Sequence, residues 1–390
     1  MNDEGLPVWD LSGLYAGPDD PAIEFDLAEA GRLVDALAEA PPGPDAPASY
    51  GRANTLLARV AAFATLYEDG RLEPVLLPRV EVVAARAPVL AEAAPDLETH
   101  PDVEPRIIAT MLSAIAEAGP RLWYRTNLQT EAELLPWTWD EAVGIALDAA
   151  DGLSPAMGEA VRQVLAERRV HARAAGAPMS HPAGDRGPYV RLDFDGGRRS
   201  VLTLAHELGH AAHQIMSRPL GVLRCDPPPA LAETVAATVE MAAARSLGGQ
   251  GGGERRTLQV LAARDLYATV VRYGALARME RRGELSDGGW KSAVRAMAGA
   301  DALKAERPDG WRAFAVVTRA PGTAWAYPFA RLAAAAALDA RDDDAAAFAP
   351  RWTRLLAAGG TVGAVEALAD LGVDVAAPGF WSRALALAGR

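Results

Sequence analysis

Thr203-Leu204-Ala205-His206-Glu207-Leu208-Gly209-His210-Ala211-Ala212-His213 decides how the rest of the chain is read. Leu204, Leu208 and Ala212 recur at four-residue spacing, so the stretch is predicted to be a helix with one apolar stripe. On that helix His206 and His210 lie about 6 Å apart along the axis and about 40° apart around it, so both imidazoles leave one face and can share a metal ion. Glu207 sits beside that face. From there a carboxylate can take a proton from a metal-bound water rather than ligate the metal, the role the glutamate of an HExxH motif plays in zinc hydrolases.

Five letters occur by chance, and the surroundings give them weight. Upstream, Tyr189-Val190-Arg191-Leu192-Asp193-Phe194-Asp195 alternates apolar and polar residues and ends in Gly196-Gly197, which predicts a strand and a turn just before the helix. Downstream, after Pro227-Pro228-Pro229, a second helix begins that carries Glu233 and, two turns on, Glu240. Either carboxylate can complete the ligand set, the other then serving as hydrogen-bond partner to a ligand histidine. His213 shares the face of His206 and His210 but lies about 10 Å along the axis from His206, too far on a straight helix for all three to meet one tetrahedral ion. A supporting or packing role suits it better.

Elsewhere the chain reads as helix almost end to end. Apolar residues at three- and four-residue spacing mark 22–39, 53–67, 141–150, 156–174, 229–246 and 254–281. Thr138 with Glu141 forms a capping box, and Ser154 followed by Pro155 places a cap and a favoured first-turn residue before the next helix. Stretches rich in proline and glycine at 41–48, 175–188 and 248–253 are expected to be loops, and 340–348 a solvated turn and helix start. The fold class is therefore mainly α.

Composition narrows the partners. The chain has 390 residues, 50% of them apolar, enough for a large core in one domain or two lobes. The formal net charge of −12 and the lack of any Lys/Arg run disfavour nucleic acid. The first ten residues are acidic, and the longest apolar run, near 332–338, is too short to span a bilayer, so no membrane association is expected. A single cysteine, Cys225, cannot form an internal disulfide, which together with these features predicts a cytoplasmic protein.

The quoted residues resemble the oligoendopeptidase F and thimet oligopeptidase family of zinc peptidases, whose signature is HExGH, a further histidine three residues on, and a glutamate about 28 residues after the first histidine. Here Glu233 stands 27 residues after His206. Trp9-Asp10-Leu11-Ser12-Gly13-Leu14-Tyr15, Asp19-Asp20-Pro21, Trp139-Asp140-Glu141-Ala142 and Leu153-Ser154-Pro155 are also similar to that family, as is the segment 189–197. The resemblance covers 9–30 and 136–240 and is faint elsewhere.

It implies a two-lobed helical zincin with a deep channel and a small β-sheet beside the HExxH helix. The N-terminal helical lobe (1–135) would be shortened and 136–390 would form the catalytic lobe. It implies Zn²⁺ held by His206, His210 and Glu233, with Glu207 as base, His213 and Glu240 as supporting residues, and a short peptide or peptide-like small molecule as substrate. The strand at 189–195 would offer its edge to an extended peptide, with Tyr189, Arg191 and Asp193 as substrate-binding residues.

The sequence departs from the family near its C-terminus, where the family carries a histidine after a proline and then tyrosines that donate to the oxyanion. Pro321 aligns with that proline, Gly322 with the histidine, and Ala330 and Leu332 with two of the tyrosines. Tyr327 and Trp325 remain nearby as donors, with Arg331 as another cation in reach, and Tyr327 is the expected catalytic one. Loss of a donor typically lowers turnover by ~10²–10³. That leaves a slow or narrow peptidase or, as the other reading, a zinc enzyme acting on a non-peptide small molecule; a non-catalytic zinc-binding relative would have no need of Glu207.

Overall fold

The computed structural model describes residues 5–39, 43, 45–87, 103–173, 177–248 and 252–389. Three helices come first: α1 (Pro21–Glu39), α2 (Ala46–Leu66) and α3 (Glu73–Ala84). α4 (Pro105–Thr126), α5 (Trp139–Leu153) and α6 (Pro155–Ala166) lead into a small sheet of β1 (Val170–His171), β2 (Met179–His181) and β3 (Tyr189–Arg191). Then follow α7 (Arg198–Ser217), α8 (Pro229–Ser246), α9 (Gly252–Leu266), α10 (Tyr273–Arg282) and α11 (Asp287–Ala305). The chain closes with α12 (Val316–Arg319), α13 (Ala326–Asp343), α14 (Ala345–Ala358), α15 (Ala364–Asp370) and α16 (Phe380–Ala388).

Local chemistry explains several boundaries. The Thr138 hydroxyl accepts from the Glu141 N–H while the Glu141 carboxylate accepts from the Thr138 N–H, so both ends of the capping box are made. Ser154 caps α6 by accepting from Met157 N–H, with Pro155 in the first turn. Pro229 occupies the first turn of α8, where its missing N–H costs nothing. Gly196 adopts φ +76°, a conformation that favours glycine, and turns the chain out of the sheet into α7.

Some expectations need correction. The helix expected over 156–174 ends at Ala166; Arg168 takes φ +52° and the chain becomes β1. The proline- and glycine-rich 175–188 stretch contains β2, while 46–48 and 252–253 already belong to α2 and α9, since proline and glycine are tolerated at helix starts. Residues 340–343 finish α13, and Asp344 caps α14 through Ala347 N–H. Residues 41, 42, 44, 175, 176 and 249–251 of the expected loops lie outside the described residues. Between α9 and α10 the backbone passes through a π-helical turn, Tyr267–Arg272, rather than one continuous helix.

Two apolar clusters form. The smaller unites Trp9, Tyr15, Ile23, Leu56, Phe63 and Leu76 from the first three helices and their entry segment with Ala183 and Tyr189 of the sheet region. The larger runs from α4 to α16 and is centred on the packing of α7 on α8 and of α8 on α13. A partly buried polar network joins the smaller cluster to the loop before β3: Tyr15 Oη donates to Asp26 Oδ2 at 2.7 Å, and Arg59 bonds Asp26 at 2.9 Å and Asp185 at 2.9 and 3.1 Å.

Strand order is β1-β3-β2, with β3 parallel to β1 and antiparallel to β2. β3 is therefore the centre of the sheet and has no free edge, which overturns the expectation that 189–195 offers one to an extended ligand. The outer strands are β1 and β2. Ser180 pairs with Val190 across the ladder, and its side chain and carbonyl meet Gln214 of α7 at 3.0 and 3.4 Å.

Candidate metal centre

α7 and α8 cross closely enough to bring two histidines and a carboxylate together. The close approach depends on Gly209: a Cβ there would stand 3.0 Å from Ala236 Cα and 3.2 Å from Val239 Cγ2 of α8. On the same turn, His206 and His210 have ring centroids 4.9 Å apart at an interplanar angle of 80°. Across the helix contact, Glu233 Oε2 lies 3.6 Å from His206 Nε2. One ligand atom from each of His206, His210 and Glu233 can be chosen so that all lie within 4.8 Å of one another, and among the described residues no other such cluster of His, Cys, Asp and Glu is found.

Behind the cluster runs a chain of charge. Glu240 Oε2 sits 3.1 Å from His206 Nδ1, and its other oxygen accepts from Arg331 Nη1 at 3.1 Å. Although burial opposes it, the Arg331 charge and the His206 contact hold the Glu240 carboxyl down at about 2. Arg331 is buried and bonds this carboxylate, so it stands behind His206. His206 also resists burial, which would favour its neutral form; hydrogen bonds to Glu233 and Glu240 push its pKa well above the ordinary value. His210, without such a partner, is lowered to about 4 by burial.

Glu207 is only 7% exposed. Burial, reinforced by the charges of Glu233 and Glu240 against that of His206, pushes its carboxyl up to about 7, near where a general base is most effective.

His213 is buried, and neither of its ring nitrogens makes a hydrogen bond; burial lowers its pKa to about 3. The structure gives it no bond to the cluster, and packing accounts for it. Tyr189 is 1% exposed, edge-on to Trp9 and under the Arg169 guanidinium, so its side chain belongs to the core rather than to a binding surface. Arg191 Nη2 reaches the Ala177 carbonyl at 3.4 Å, and Asp193 is exposed and bridges Arg173 through the backbone.

Tyr327, in the first turn of α13, lies where burial and the charges of Glu233 and Glu207 raise its phenol pKa. The structure adds a residue that the sequence did not single out. Tyr273, where the π-helical turn passes into α10, places its ring 4.5 Å from that of Tyr327, and its phenol is raised first by burial and then by Glu233. The two residues lie 54 positions apart within ordinary helical patterning, so no spacing signal could have paired them. Ala330 and Leu332 are buried in the core and offer no donor, while Gly322 is an exposed turn at φ +88° whose N–H donates to Glu280 at 2.9 Å.

No family model matches the chain, and no curated relative is similar to it in sequence. Its fold is matched by solved structures over nearly its whole length. An oligoendopeptidase F aligns with a TM-score of 0.60 and 17% identity, covering 96% of this chain and 76% of that one. PZ peptidase A with an inhibitor aligns at 0.59 and 14%, covering 97% and 78%, and an oligoendopeptidase F from Bacillus anthracis strain Ames at 0.56 and 13%, covering 96% and 76%. No helix among the described residues is long and apolar enough to cross a membrane. The chain thus has the mainly helical fold of the oligoendopeptidase F type of peptidase, with a small three-stranded sheet, at a sequence distance where the fold alone is shared.

Proposed function

We propose that the protein is a zinc-dependent hydrolase of amide bonds in short peptides or peptide-like compounds. The observation that carries this reading is the convergence of His206, His210 and Glu233 within 4.8 Å, with a buried Glu207 on the same helix. Two imidazole nitrogens and one carboxylate are the donor set of a catalytic zinc site with a fourth position left for water or substrate, and the Glu240 contact at His206 Nδ1 supplies the outer partner that fixes ring orientation. Zinc in such a site polarises a carbonyl and lowers the pKa of water.

The chain's own residues do the rest. Glu207 takes a proton from the attacking water as its oxygen bonds to the carbonyl carbon, then delivers that proton to the amide nitrogen as the C–N bond breaks. Tyr327, with Tyr273 beside it, would donate to the carbonyl oxygen as negative charge develops there. The outer edge of β2, beside α7, is the place for an extended substrate to add a strand. A channel between an N-terminal lobe, 1–135, and a catalytic lobe, 136–390, and a cytoplasmic location belong to the same proposal. A non-peptide substrate is the second reading, favoured by Gly322, Ala330 and Leu332, none of which offers a side-chain donor.

Glu207→Gln tests the reading. An amide can hold a water by a hydrogen bond but cannot accept its proton at neutral pH, so the variant should bind zinc at parental stoichiometry and lose cleavage of a mixed short-peptide library by at least about 10². Turnover near the parental rate would remove Glu207 from the chemistry.

A further inference from the structure

A cavity of about 760 Å³, lined in part by Arg331, lies between the end of α4, the C-terminal half of α8, α9 and the end of α16. Its volume falls in the range of small-molecule sites. The walls are largely apolar, with Leu128, Met241, Leu258, Val260, Leu266 and Leu387 among them. The charged residues lining it are four arginines, Arg125, Arg245, Arg256 and Arg331, and one acid, Glu131. Three of the four arginines are paired with carboxylates, Arg331 with Glu240, Arg245 with Asp342 and Arg256 with Glu131.

The arginines are placed at different depths. Arg331 is nearly buried, bonds Glu240 through Nη1, and its Nε is buried without a hydrogen-bond partner. Arg245 and Arg256 are exposed at the mouth and pair with Asp342 and Glu131, contacts that solvent screens and that an incoming anion can replace. Arg125 reaches the Gly389 carbonyl at 3.0 Å. Guanidinium forks match a carboxylate in a planar, two-bond geometry, and the apolar walls call for a hydrocarbon tail.

We propose that this cavity is a second ligand site, separate from the metal cluster, that takes an apolar-tailed monocarboxylate such as a medium-chain acyl acid. The head group pairs with the arginines at the mouth and the tail lies along the α8–α9 wall. The inference does not depend on the hydrolase reading, because none of His206, His210, Glu207 and Glu233 lines the cavity.

Isothermal titration calorimetry with decanoate tests it, using decanol and decyltrimethylammonium as probes with a comparable tail and a different head, each below its micelle concentration. Decanoate should bind one per chain, and at least about tenfold more tightly than either probe. Arg245→Gln/Arg256→Gln, two exposed side chains, should weaken decanoate at least about tenfold while leaving decanol unchanged, and Ala262→Trp, which fills the cavity from α9, should abolish binding of both. Chelator-treated protein should bind decanoate as the untreated protein does. Equal affinity for decanol and decanoate, binding that survives both variants, or binding that disappears with the metal would each overturn the proposal, the last by placing the carboxylate on the metal cluster instead.

Discussion

Gly209→Ala separates the geometry of the metal site from the residues that compose it. The added Cβ would meet Ala236 Cα at 3.0 Å and Val239 Cγ2 at 3.2 Å, and the first of these is backbone that cannot rotate away. Restoring the 3.5–4.0 Å optimum between carbons requires α8 to move off α7 by roughly 0.5–1 Å. Glu233 rides on α8 while both histidines ride on α7, so the shift falls directly on the ligand separation. Zinc–ligand distances tolerate about ±0.2 Å, so zinc affinity should fall at least tenfold, about 1.4 kcal/mol. Overpacking costs about 1–3 kcal/mol, offset by up to about 1 kcal/mol from replacing a helix-interior glycine, so the variant should still fold with a Tm a few degrees lower. Competition against a chelating zinc dye gives the affinity, and thermal unfolding of the metal-free protein gives the stability. A Gly209→Ala protein with parental zinc affinity would refute the claim that helix spacing sets the site.

Two further predictions concern neighbouring chemistry. Tyr273→Phe and Tyr327→Phe should each lower turnover without changing zinc content, by up to the ~10²–10³ that an oxyanion donor contributes, and the double variant should lose less than the product of the two, since the rings touch; turnover and metal analysis on the same samples check this. His181, on β2, is lowered by burial and then by Arg191 to about 4, so between its ordinary value of 6.5 and about 4 the unfolded chain binds more protons than the folded one. Stability of the chelator-treated protein should therefore fall as pH drops through that window, by at most about 1.4 kcal/mol per pH unit from this group, and His181→Gln should flatten the slope in urea titrations.

The site was far more legible in the sequence than the sheet beside it. His206 and His210 are one helical turn apart, and the helix period alone puts them on one face; the proline run announced a second helix carrying Glu233 and Glu240, and the family resemblance, not the helix, chose Glu233 between them. The capping signals at Thr138 and Ser154 were local for the same reason. Strand order is not local. The alternation of 189–195 marked β3, but its place in the centre depends on β1, which hides in two residues after a helix, and on β2, which lies within a stretch rich in proline and glycine. The tyrosine pair was invisible because Tyr273 meets Tyr327 only through the packing around a π-helical turn. Arg331 read as a cation in reach of the reacting group, and only the fold shows it committed to Glu240.

The central claim is that His206, His210 and Glu233 hold one zinc ion and that His213 does not. Zinc per chain, measured by elemental mass spectrometry after exhaustive dialysis, tests it across four single variants. The account predicts one zinc in the parent, strong loss in His206→Ala, His210→Ala and Glu233→Ala, and retention in His213→Ala. Near-full zinc in Glu233→Ala, or loss in His213→Ala comparable to that in His206→Ala, would contradict it.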